Sequence, residues 1–249
     1  MRYRHNHSGI LVPYHGPKNQ RGFFTCGPGF FGGVPSPSDP YFSYVVSLMH
    51  FQGANNGTVF TDVISGSIWM PAGTPVTSST QAKFGATSGW SGTGSGIVGQ
   101  TFNAAFSFPG DLTVEGFIYC TSCSGGHALF SIQDGSNKFL PLYMISETSS
   151  ESIINGAVPI SGIVLPGTNA WYHAAFTRSG TTVTVWINGV SAGTGTVSGT
   201  LGSTSLHAYV INENVQQNFT GFVAESRVTN GICRYTSTFT PPTAPFPDH

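Results

Sequence analysis

Residues 181–189 read Thr-Thr-Val-Thr-Val-Trp-Ile-Asn-Gly, and this stretch decides the fold class. Val183, Val185 and Ile187 alternate with Thr182, Thr184 and Trp186, the period-2 pattern of a strand with one buried face. Asn188-Gly189 then supplies the positive φ values of a tight hairpin turn. The same alternation recurs in Leu112-Thr-Val-Glu-Gly-Phe-Ile-Tyr-Cys120, with Leu112, Val114 and Ile118 on one face and Thr113, Glu115 and Tyr119 on the other. Further strands are expected at 44–51, 127–133, 139–145, 171–178, 206–211 and 220–228, with turn residues between them and no stretch of helical period. About ten such strands in the body of the chain predict an all-β fold, two antiparallel sheets packed face to face as a jelly-roll sandwich.

Composition agrees. Of 249 residues only 8% are charged, against 33 Gly, 16 Pro, 29 Ser and 27 Thr. An average soluble protein has about 25% charged residues, so the chain leans toward turns and strands. A hydrophobic fraction of 39%, with 13% aromatic, excludes disorder over the whole length. No apolar run reaches the roughly 18 residues of a membrane-crossing helix, so no membrane insertion is expected. The start of the chain does not read as a secretory signal peptide. A net charge of −1 excludes the electrostatic footprint of a general nucleic-acid binder.

Three regions are expected. Residues 1–44 form an extended N-terminal arm, broken by Gly-Pro and Pro-Ser-Pro steps and carrying Arg2, Arg4, Lys18 and Arg21 against the single carboxylate Asp39. The arm holds Phe23, Phe24, Phe30 and Phe31 without a core of its own. These rings pack back onto the following domain or order against a partner; in the second case Arg2, Arg4, Arg21 and the four Phe residues are the anchor. Residues 45–238 form the sandwich, and 239–249 a Pro-rich C-terminal tail.

Five stretches taken together resemble a concanavalin A-like, laminin G-like jelly-roll domain of the kind found in structural proteins of tailed bacteriophages. They are residues 39–51 leading to 60–62, 83–85, 111–117, 171–180 with 185–189 and, most telling, Arg227-Val-Thr-Asn-Gly-Ile-Cys-Arg-Tyr-Thr-Ser-Thr-Phe-Thr-Pro-Pro-Thr-Ala-Pro-Phe246. The resemblance covers about residues 39–247 and implies the sandwich fold and a virion setting; a ligand does not follow from it.

Sandwiches of this resemblance often hold calcium at a loop edge, and Asp62 and Glu225 are the candidate ligands. Ala224 stands where the family pattern more usually has an acid, and both carboxylates otherwise pair with Arg227 or cap turns. No other cofactor is expected. Cys120-Thr-Ser-Cys123 has half of a zinc-site spacing but no second pair, so reduced cysteines at a strand end are expected. Hydrolysis of glycosides needs two flanking carboxylates, and no strand here carries acids two residues apart. A glycan platform needs exposed rings, for which Trp90 and Trp186 are the candidates, while Trp69, Trp171 and His173 read as packing residues. The first reading is therefore a non-enzymatic virion structural protein, made in the host cytoplasm, anchored to other virion proteins through residues 1–44 as a capsid decoration or tail component. The alternative is a glycan-binding adhesin module of a tail fibre recognising a host-surface glycan, and behind it a polysaccharide-degrading enzyme. A homo-oligomer is compatible with either, though no heptads specify one.

Overall fold

The computed structural model describes residues 3–5, 11–13, 38–92, 96–101, 104–123, 127–134, 137–203, 207–210 and 219–249. The chain divides into two units, residues 1–36 and 37–249. In the first, β1 (Tyr3–His5) pairs antiparallel with β2 (Leu11–Pro13). The second runs β3 (Val45–Met49), β4 (Phe60–Thr61), β5 (Ile68–Ala72), β6 (Val76–Ser78), β7 (Ser88–Trp90), β8 (Gly96–Thr101), β9 (Ser107–Phe108), β10 (Leu112–Cys123), β11 (His127–Ala128), β12 (Phe130–Asp134), β13 (Asn137–Ser146), β14 (Ser149–Ile154), β15 (Ala157–Val164), β16 (Trp171–Ser179), β17 (Thr182–Ile187), β18 (Val190–Thr196), β19 (Leu201–Gly202), β20 (His207–Val210) and β21 (Phe219–Asn230).

The expected sandwich is present. One sheet orders its strands β18-β17-β16-β10-β21-β7-β6 with β3 also on β21; the other is β15-β14-β13-β12-β20-β8-β5-β4 with β11 on β13. Leu112, Val114 and Ile118 face the inter-sheet core with Val183 and Val185, as their alternation requires. Ile187 packs against that core half-buried, and Trp69 is inside it. Aromatic rings cross between the layers: Phe139 of the second sheet meets Phe176 of the first at 5.7 Å, edge to face. Asn188 and Gly189 adopt φ of 50° and 79°, the hairpin turn read from the sequence.

The register between β10 and β21 shifts where Glu115 pairs with Arg227 but Phe117 pairs with Ala224. Glu225 occupies the extra position on β21 with φ of 57°, so the pair forms a β-bulge. Gly116 makes it possible, because a Cβ there would lie 3.0 Å from the Glu225 carbonyl oxygen. The bulge turns the Glu225 carboxylate toward His50 and the backbone N–H of Phe246.

The outer face of the first sheet is covered, which alternation in the strands did not foretell. Residues 231–249 run back across it: Arg234 N–H donates to Thr113 Oγ1, Phe239 N–H to the Gly189 carbonyl, and Phe246 is buried with Phe117, Leu48, Val45 and Ala224. Asp39 N–H donates to the His249 carbonyl at 3.0 Å. Residues 37–44 thus fall in the sandwich unit, eight residues earlier than the expected end of the arm.

Candidate functional site

Beneath the C-terminal segment lies a buried ion network. The Arg227 guanidinium donates from Nε and Nη2 to Glu115 Oε1 at 3.0 and 2.7 Å and from Nη1 to Asp39 Oδ2 at 2.9 Å. Arg234 clamps the same Asp39 through both carboxylate oxygens at 2.9 and 2.7 Å. Glu115, fully buried, also accepts from the Tyr235 hydroxyl at 2.7 Å and contacts His173 Nε2 at 3.1 Å. Burial by itself would raise the Glu115 carboxyl, but Arg227, the His173 hydrogen bond and Arg234 together hold it far below the usual carboxylate range. Burial and then the Glu115 charge push the Tyr235 hydroxyl well above its ordinary value. These groups are locked into one another and fix the position of Tyr235.

Tyr235 is one wall of a groove of about 460 Å³ on the outer face of β16, β17 and β18. Its floor is Thr177, Thr184 and Trp186; its rim is Ser179, Thr182, Ser191 and Thr194; Cys233 and Thr236 complete the wall. The strands place these side chains together by register. Thr177 stands opposite Thr184, and Thr184 opposite Thr194. The next row is Ser179, Thr182 and Thr196. The Tyr235 ring is stacked on Phe239 at 3.6 Å, and Phe239 in turn meets Trp186 at 5.8 Å. Every polar side chain lining the groove is a hydroxyl, with the Cys233 thiol and the Trp186 indole beside them, and no charged group lines it. Hydroxyls donate and accept, so such a surface suits a ligand whose own groups do both.

The sequence-derived candidates fall as follows. Trp186 is on the outer face as expected but only 4% exposed, its Nε1–H donating to Thr177 Oγ1 at 2.8 Å. It is a floor residue, and the exposed platform assigned to it is corrected: Phe239 and the rim of β18 take the space that alternation leaves to solvent. Trp90 is half-buried at the other end of the sheet, against Phe222 at 4.6 Å, in a cross-strand row that continues through Tyr119 to Trp171. Trp171 belongs to that outer-face row and not to the inter-sheet core.

Asp62 caps a turn, accepting from the N–H groups of Ile64 and Ser65 and from the Ser47 hydroxyl. Glu225 is taken by His50 and Phe246, and Arg227 pairs with Glu115 and Asp39 instead of either candidate ligand. Among the described residues no group of three or more His, Cys, Asp or Glu is placed to hold a metal ion. Cys120 is disulfide-bonded, which corrects the expected reduced thiol there, whereas Cys233 is free. Of the anchor candidates, Arg4 lies in β1; Arg2, Arg21, Phe23, Phe24, Phe30 and Phe31 lie outside the described residues. The groove itself was not among the sequence-derived sites. Its trace was the hydroxyl alternation at 177/179 and 182/184 with Thr194 beside it, which acquires meaning only once three strands are in register.

The fold and groove define a two-sheet jelly-roll domain with an open polar cleft on one sheet. Residues 91–233 match the family model of the concanavalin A-like lectin/glucanases superfamily, and the chain belongs to that family. Among solved structures it is similar to domain 4 of AbnA, an extracellular GH43 arabinanase from Geobacillus stearothermophilus in complex with arabinotriose, at 16% identity and a TM-score of 0.54 over 76% of this chain and 93% of that one. It is also similar to the binding domain of Paraclostridial Mosquitocidal Protein 1, at 12% identity and a TM-score of 0.57 over 76% and 49% of the two chains. Trypanosoma rangeli sialidase is similar at 16% identity and 0.53 over 78% and 31%. The chain therefore spans about half of the mosquitocidal-protein binding domain and a third of the sialidase, and at these identities the likeness is one of fold. No curated protein sequence matches the chain.

Proposed function

We propose that the sandwich is a non-enzymatic carbohydrate-binding module. The observation that carries this reading is the groove of hydroxyl side chains on β16–β18, closed along one side by Tyr235. The fold it shares with a domain solved in complex with arabinotriose is consistent with such a use. Binding without cleavage is supported by the state of the nearby acids. Glu115 is sealed beneath Tyr235 by Arg227, and Asp111 Oδ1 accepts from Gly180 N–H at 2.8 Å, so neither stands across the groove from a second carboxylate as glycoside hydrolysis requires. Probing the full chain on an array of immobilised glycans tests the reading. Binding that is lost in Tyr235→Ala while the variant stays folded is the expected result; a blank array with folded protein overturns it.

For the setting, we propose display on a bacteriophage particle, with the N-terminal segment as the attachment to other virion proteins. Support comes from the resemblance of residues 227–246 to tailed-phage proteins and from the separation of residues 1–36 as a unit of their own. Deletion of 1–36 leaves Asp39 in place and should give a folded sandwich that fails to join particles. Incorporation at the wild-type level would refute the anchor.

A further inference from the structure

Two features of the groove restrict the chemistry of its ligand. The first is charge. An acidic sugar carries a carboxylate or sulfate, whose burial in a cleft needs a cationic or strongly donating partner. None lines the groove, and the Lys and Arg side chains of the sandwich unit that the structure describes lie elsewhere. Arg227 and Arg234 serve Glu115 and Asp39. Arg178, on the opposite face of β16 from Thr177, donates to the carbonyls of Gly180 and Gly199. Lys83 lies over the rings of Phe84 and Phe117, and Lys138 is on β13 of the other sheet. On the groove wall, Cys233 feels an anion, the Asp111 charge adding to the effect of burial in raising its thiol, while the guanidinium groups of Arg227 and Arg234 lie behind Tyr235 and are neutralised by Glu115 and Asp39.

The second is periodicity. Hydroxyls in the row Thr177, Thr184, Thr194 are separated by the spacing between strands, about 4.8 Å, whereas neighbours along one strand on the same face are about 6.7 Å apart. Ser179 and Thr182 repeat the row one step further along β16 and β17, whereas Thr196, in register with them on β18, lies outside the groove lining. The shorter spacing is close to the length of one sugar ring in an extended chain, so a glycan lying across the strands meets at least one rim hydroxyl at each ring: Ser179 on β16, Thr182 on β17 and Thr194 on β18. The row ends toward β10 at the Tyr235 wall and toward the other side at β18, the edge of the sheet.

We infer that the groove takes a neutral, extended oligosaccharide running across β16, β17 and β18, one ring per strand. This rests on the carbohydrate-binding reading above. The test is calorimetric titration of the full chain with neutral oligosaccharides (arabino-, xylo-, gluco- and manno-series, one to six rings) and with acidic ones (oligogalacturonates, sialyllactose, heparin fragments). Thr194→Val and Trp90→Ala are run beside the parent chain. The expected result is binding confined to a neutral series, tightening from one ring to three and level beyond. Thr194→Val, exposed and with no effect on thermal stability, should weaken it about two- to tenfold, the share of one hydrogen bond. Acidic ligands bound more tightly, or binding lost in Trp90→Ala and intact in Thr194→Val, would overturn the inference while leaving the module a glycan binder. Absence of binding to every ligand would remove the carbohydrate reading itself.

Discussion

Replacing Arg227 by Met isolates the role of the buried ion network. In the parent, two carboxylates, Glu115 and Asp39, face two guanidinium groups, Arg227 and Arg234, all nearly inaccessible to water. Met fills most of the Arg227 volume but leaves two buried carboxylates to one guanidinium, and it removes the cation stacked 3.9 Å over the Phe246 ring. Breaking a buried pair from one side costs about 3–5 kcal/mol. For a domain of this size each kcal/mol lowers Tm by about 2–4 °C, so a fall of about 6–20 °C is expected by calorimetry. The double variant Glu115→Gln/Arg227→Met restores a balance of one carboxylate to one guanidinium. It should therefore be more stable than the sum of the two single losses by at least about 1 kcal/mol. Limited proteolysis gives a second readout, since residues 231–249 are held by the same groups and should be cut sooner in the single variant. Strict additivity of the two substitutions, or a Tm loss below about 3 °C for Arg227→Met, would refute the view that charge balance holds the C-terminal segment down.

Gly189→Ala should destabilise the domain and release the segment near Phe239, because φ there is 79° and a Cβ would meet the Phe239 carbonyl oxygen at 1.9 Å; protease sensitivity confined to residues after 238 is the expected pattern. Asn188→Gly, at the neighbouring position without that clash, removes the Oδ1 acceptor of the His173 N–H and should cost about 1–3 kcal/mol while leaving the segment after 238 protected. Stability should also depend on pH at both ends of the range. The hydrogen bond to Glu225 raises the His50 imidazole above its ordinary 6.5 against the opposing effect of burial, with the Glu225 and Asp248 charges adding to the rise. Its stabilisation is thus full below pH 6.5 and is lost as pH climbs through the folded value. Burial opposes ionisation of Glu115 and Asp39, but their arginine partners lower both carboxyls from 4.5 and 3.8, so their contribution is lost as pH falls below those figures. Denaturant titrations across pH should show His50→Gln flattening the alkaline limb only; a change in the acid limb would contradict the assignment.

The fold was largely legible because its signals are local. Val183, Val185 and Ile187 announce a strand by spacing alone, and Asn188-Gly189 fixes its turn by the φ values those residues tolerate. What the strands face was less legible. Thr113, Glu115 and Tyr119 read as the outward set of β10, and they are outward, yet residues more than 100 positions later cover them. Glu115 finds Arg227 across 112 positions and Arg227 finds Asp39 across 188, separations over which no spacing rule operates. Arg227 was expected near Glu225 because they share a strand, but the bulge at Glu225 turns that carboxylate to His50. Trp186 was placed on the right face and given the wrong exposure for the same reason: alternation tells inside from outside, whereas burial of the outside depends on what the chain does later.

The hydrogen bond from Asp39 N–H to the His249 carbonyl joins the two extremities of the sandwich. In topological terms the domain is a loop that has been opened at one place. A short bridge from 249 to 38, with new ends cut in the exposed turn at Asn155-Gly156, would reorder the sequence without re-pairing a strand. The same adjacency makes the domain a natural cassette: spliced into a surface loop of a host protein, it would hang from two neighbouring points and need almost no spacer on either side.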